Sequence, residues 1–161
     1  MTTGEMDIKS IFTYLDAMFH LNSLIVDSLT SAGLFDESLV SYHRPTLSHI
    51  IYADGSRAMS YIGAAIVSLS NRKVKLEFDS IVNDGGVMSI EFSIHLLLLE
   101  YQEWVDLKSV PHVSLSGMHS WDELLNKIRL EASKFSQELI QNSKDNGFES
   151  WVETLASEYE E

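Results

Sequence analysis

The sequence has no cysteine, only two prolines in 161 residues, and 11 lysines and arginines against 24 acids. Without cysteine there is no disulfide framework, no thiol nucleophile and no thiolate metal site. That absence fits a cytoplasmic protein, which is the expectation taken forward. So few prolines argue against long disordered stretches. Long apolar runs are missing too, and the longest uncharged one, Tyr61 to Val67, falls far below the roughly 20 residues a membrane helix needs. The opening MTTGEMDIK sets Glu5 and Asp7 before its first base, Lys9, unlike the basic region that begins a secretory leader. The shortage of bases leaves a formal net charge of −13. Phosphate backbones and anionic lipid surfaces repel such a chain, so no direct nucleic-acid or membrane partner is expected. The acidity then has two readings, solubility alone or a cationic protein partner.

An apolar content of 45% and a charged content of 22% are ordinary for a globular chain of this size, and residues 1–161 read as a single α+β domain. Residues 5–32 form one long amphipathic helix in this reading. Ile8, Ile11, Phe12, Leu15, Met18, Phe19, Ile25, Val26 and Leu29 recur at helical spacing, and Gly33 supplies the stop. Asn22 falls on the same stripe and is expected as a buried, bonded amide. A short helical turn is expected from Asp36, and Pro45 then forces an extended segment. Asp54-Gly55 between apolar flanks predicts a hairpin. KVKLEFDSI and VMSIEFSIH alternate apolar and polar residues with period two, which implies an antiparallel sheet with one face in water and the other covered by helices. AMSYIGAAIVSLS reads as a strand, in which Gly63 would let another element approach closely. LLLLEYQEWVDLK is ambiguous between strand and helix. Ser120 and Glu123 form a capping box ahead of a long helix, and Phe148, Trp151, Val152, Leu155 and Tyr159 mark a last short one. The fold class is α+β: a long N-terminal helix, a central antiparallel meander of about four strands, and C-terminal helices on one face.

Motifs for chemistry are lacking. Asp84-Gly85-Gly86 lies in a turn and carries an acid where a phosphate would have to bind. The six histidines show neither HExxH nor HxH spacing, so no metal site and no cofactor is expected. Ser116 and Ser120 flank His119 without the glycines of a nucleophile elbow. No catalytic residue is assigned, and a hydrolase assembled from scattered His and Asp/Glu is the minority reading.

The C-terminal segment from Asp145 to Glu161 has six acids and no base. Glu149 and Glu153 are an i,i+4 like-charge pair, and Glu158, Glu160 and Glu161 sit at the helix end that the dipole disfavours. Helix stability does not account for them. A hydrated terminus would. So would a rim of acids around Trp151 and Tyr159 that receives lysines and arginines, a common interface recipe. Glu149, Trp151, Glu153, Glu158 and Tyr159 are therefore the first candidates for partner contact. Asp54, Asp79 and Asp84, at or near the sheet turns, are the second set.

In size, acidity, lack of catalytic motifs and helix–meander–helix layout, the chain resembles the immunity proteins of bacterial polymorphic toxins, those of contact-dependent growth inhibition in particular. The resemblance covers the whole chain and rests on overall character. It implies a cytosolic, non-enzymatic inhibitor that binds the C-terminal domain of a cognate toxin, often a basic nuclease, and covers its active site or substrate groove. It also implies that a partner strand could add to a sheet edge, for which the uncharged AMSYIGAAIVSLS is the place to look. Beside this reading stand a generic acidic interaction module or complex subunit, and the hydrolase. Oligomeric state is left open.

Overall fold

The computed structural model describes residues 8–83, 88–98, 103–114 and 121–160. The elements run α1 (Ile8–Ser31), a 3-10 turn (Glu37–Leu39), β1 (Val40–Tyr42), β2 (Thr46–Ile51), β3 (Arg57–Ser68), β4 (Lys73–Asn83), β5 (Met88–Leu98), β6 (Glu103–Ser114), α2 (Trp121–Asn142) and α3 (Phe148–Glu160). The expected α+β architecture is present: helices at both ends and an antiparallel sheet between them. No helix among the described residues is long and apolar enough to cross a membrane.

Helix α1 ends as its sequence dictates. Gly33 takes φ +82°, a conformation open to glycine, and its N–H bonds to the Thr30 carbonyl while Leu34 N–H bonds to that of Leu29. That pair of bonds is a Schellman stop. Asp36 then caps the 3-10 turn by accepting from Ser38 N–H at 2.8 Å.

The sheet is a four-stranded meander, β3-β4-β5-β6, completed beyond β3 by a broken edge strand. β1 pairs with the C-terminal half of β3 and β2 with its N-terminal half. Tyr42 faces Ala65 and Thr46 faces Ile62, so the edge advances four residues while β3 advances three. His43, Arg44 and Pro45 therefore sit against Gly63 and Ala64, with His43 N–H still bonded to the Ala64 carbonyl at 2.9 Å. This is a β-bulge, and proline suits it because it has no N–H to give. The ambiguous LLLLEYQEWVDLK resolves into β5 and β6 where it is described, strand rather than helix.

Alternation along β3, β4 and β5 sends Tyr61, Ala65, Val67, Val74, Leu76, Phe78, Ile90, Phe92 and Ile94 to one face, where they are buried. All three helices cover that face, α1 over β3 and β4, α2 over β5, and α3 beside β6 and α2. A file of rings crosses the core: Tyr61 stacks on Phe78 at 5.8 Å, Phe78 meets Phe92 at 6.4 Å, and Phe92 stacks on Phe135 of α2 at 5.4 Å. Each such pair is worth about 0.5–1.5 kcal/mol beyond the area it buries. Gly63 makes room for this file. A Cβ there would lie 2.6 Å from Phe78 Cε1 and 2.9 Å from the Asn22 Nδ2 of α1. The expected close approach at Gly63 is thus made by a neighbouring ring and by α1.

Candidate interaction surfaces

Of the C-terminal acids, two are engaged within the chain. Glu149 accepts from Ser70 N–H at 2.9 Å and from the Ser70 hydroxyl at 3.3 Å. Glu153 pairs with Arg72 Nε at 2.8 Å. Ser70 and Arg72 belong to the turn between β3 and β4, closed by Leu69 N–H on the Arg72 carbonyl. The i,i+4 acids thus act together, and successive turns of α3 clasp that β-turn. Trp151 is half-buried against Phe148, with ring centroids 6.1 Å apart, and Phe148 in turn packs on Phe35. Glu158 is exposed, and the side chain of Tyr159 lies outside the described residues.

The second set is dispersed. Asp54 is exposed in the β2–β3 hairpin, where bonds from the Ser56 hydroxyl and N–H hold its carboxyl below the usual range. Asp79 is on the sheet face opposite the helices and meets the Ser60 hydroxyl at 3.3 Å. Asp84 lies outside the described residues. The candidates whose side chains are described form no single patch.

The uncovered sheet face carries a polar network. His95 Nε2 lies 3.0 Å from Glu77 Oε2 and 2.7 Å from Ser93 Oγ, and Lys75 Nζ lies 3.5 Å from Glu77 Oε1. The hydrogen bond from His95 holds the Glu77 carboxyl below its ordinary range, aided by the charge of Lys75, while partial burial opposes the shift. An imidazole relay needs its two nitrogens to serve different partners. Among the described residues Nε2 carries both contacts, and Glu77 is bracketed by His95 and Lys75. Among the described residues no group of three His, Cys, Asp or Glu side chains could hold a metal ion.

Exposed aromatic side chains occur elsewhere, between α1 and β1, with two acids near one of them. Phe19 and Tyr42 are 65% and 53% exposed. They line a cleft of about 190 Å³ with Asn22, Ser23, Pro45, Tyr61 and Gly63 around it. Partial burial raises the Tyr42 hydroxyl above its ordinary pKa. A hydrogen bond with Ser23 opposes this, and the nearby Asp27 and Glu37 carboxylates add to it. Asp16, one turn before Phe19, pairs with His20 at 3.4 Å, and the His20 ring meets Phe19 edge-on at 5.3 Å.

Sequence reasoning missed this patch because Phe19 falls on the helical stripe and reads as core. The position that signalled it is Pro45, a residue that sheets confine largely to edges and bulges. The edge itself also differs from expectation. AMSYIGAAIVSLS, the place to look for strand addition, is β3 and lies inside the sheet between the broken edge strand and β4. No family model, curated protein or solved structure matches the chain.

Proposed function

We propose that this chain is a protein-binding inhibitor without a catalytic centre of its own: an immunity protein that neutralises a cognate basic toxin domain in the cytoplasm. The observation that supports it best is the patch between α1 and β1. Two aromatic side chains stand largely in water over a cleft, with Asp27 and Glu37 near Tyr42. Aromatic anchors of this kind gain by leaving water, and the acids would receive lysines or arginines of the partner. The net charge of −13 would steer encounter with a cationic surface, at a rate that falls as salt rises. Exposed Glu158 and Asp54 are free to add to that steering without touching the patch.

The test starts from the larger chain that this reading expects to be encoded beside it in the host genome. Its C-terminal domain, expressed alone, should arrest growth, and this chain should relieve the arrest and form a stoichiometric complex with it. Phe19→Ala with Tyr42→Ala should weaken the complex by about tenfold or more. Asp27→Lys with Glu37→Lys should flatten its salt dependence. A chain that relieves nothing, or a complex indifferent to all four substitutions, would sink the reading.

A further inference from the structure

Three observations converge on β2, the outer strand of the sheet at its β3 side. The first concerns the backbone. Tyr52 N–H donates to the Ser56 carbonyl at 2.9 Å. Bonding alternates along an antiparallel pair, so Ile50, Ser48 and Thr46 also turn their peptide groups toward β3. Leu47, His49 and Ile51 therefore turn theirs outward. The second concerns side chains. Period-two alternation would set Tyr42 on one face and Leu47 and Ile51 on the other. The extra residue of the bulge reverses the phase and brings all three to the helix side. Leu47 and Ile51 are 53% and 64% exposed there. The third is charge: between Glu37 and Glu77 the chain contains one acid, Asp54, although it has 24 in all. An apolar edge with free peptide groups is a template for another strand, and sheets usually guard it with charge. Here Arg44 and Pro45 stand before the strand and Asp54 after it, with no acid, lysine or arginine between them.

We propose that β2 pairs antiparallel with β2 of a second copy of this chain, about a two-fold axis through His49. This register uses every outward-turned residue: Leu47 opposite Ile51 of the second copy, His49 opposite its His49, and Ile51 opposite its Leu47. It sets apolar side chain against apolar side chain on the helix side. It also carries Arg44 opposite Asp54 of the second copy, at both ends, so the charges that bound the apolar segment are complementary. A two-residue slip either way loses one outward pair and that match. The contact falls on a stretch of sequence poor in acids, in a chain whose net charge otherwise opposes self-association. The inference does not rest on the toxin reading, whose patch on α1 and β1 adjoins this edge at Tyr42.

Sedimentation velocity of the full chain tests it, from micromolar to millimolar concentration and at low and high salt. The expected result is a monomer–dimer equilibrium that tightens with salt, because screening weakens the repulsion between two acidic chains. His49→Pro deletes an outward N–H while Ser48 and Ile50 keep the bonds to β3. It should weaken the dimer about tenfold or more. Arg44→Asp should weaken it about tenfold, and adding Asp54→Arg should restore it to within about threefold. If His49→Pro disturbs the fold, as circular dichroism would show, the charge exchange decides alone. A chain that stays monomeric throughout overturns the proposal. So does a dimer unmoved by the charge reversal and its exchange, which places the contact on another face. A monomer in which His49→Pro instead weakens a complex with the toxin domain overturns it as well, and gives this edge to that partner.

Discussion

Helix α3 and the edge strand β1–β2 both expose ground that invites a partner, yet the chain treats them in opposite ways. In α3 the apolar stripe is buried, with Phe148 2% and Val152 0% exposed, and two of its acids are tied to the β3–β4 turn. In β1–β2 the apolar side chains stand in water and the strands themselves carry no acid. Abundant charge in a segment therefore does not by itself mark a docking surface. What marks one is apolar surface and backbone bonding capacity that the fold leaves unused.

The sharpest way to break this comparison is a pair of truncations read by urea denaturation. Phe148→Ala should cost about 3–5 kcal/mol, as expected for a fully buried aromatic side chain. Ile51→Ala should change stability by no more than about 0.5 kcal/mol. Equal costs would mean that the edge is packed in solution. Next in size is Gly63→Ala, where the new methyl group meets Phe78 and Asn22 at under 3 Å. Overpacking of this kind costs about 1–3 kcal/mol, and the variant separates the interior of β3 from the tolerant strand beside it.

A smaller effect tests the clasp of α3. Arg72→Ala and Glu153→Gln should each cost about 1 kcal/mol or less, since the pair is partly solvated, with side chains 20% and 36% exposed. A double-mutant cycle should return a coupling of a few tenths of a kcal/mol, and zero coupling would release Glu153 to the solvent. The last prediction concerns Glu77 on the uncovered face. Its folded pKa lies below the ordinary 4.5, so it favours the folded state above that pH. The contribution disappears as pH falls through the folded value. Glu77→Gln should flatten the acid limb of the stability curve, and an unchanged limb would mean the network with His95 is not formed.

Much of the fold was legible. Period-two alternation in KVKLEFDSI and VMSIEFSIH places Phe78 and Phe92 in the core, Gly33 ends α1, and Asp54-Gly55 turns the hairpin. These are local signals, set within a few residues of chain. The candidate site was less legible because it depends on distant pairing. Glu149 and Glu153 read as free acids until the turn at Ser70 and Arg72, about 80 residues earlier, is folded against them. Phe19 reads as core, yet the fold leaves it 65% exposed beside Tyr42 of β1. The broken edge strand raises the count beyond the expected four because its two pieces, three and six residues long, carry little periodicity of their own.

The bulge at Arg44–Pro45 has a consequence for how this chain can vary over time. Substitutions in the bulge change a surface side chain, and insertions at the Asp54 hairpin lengthen an exposed turn. Loss of a single codon between His43 and Pro45 does something else. It removes the extra residue, so the pairs Tyr42–Ala65 and Thr46–Ile62 would be joined by a regular ladder with every side chain from Thr46 to Ile51 on its present face. Three adjacent codons thus form a stretch that can lose one member and keep the pairing on either side of it.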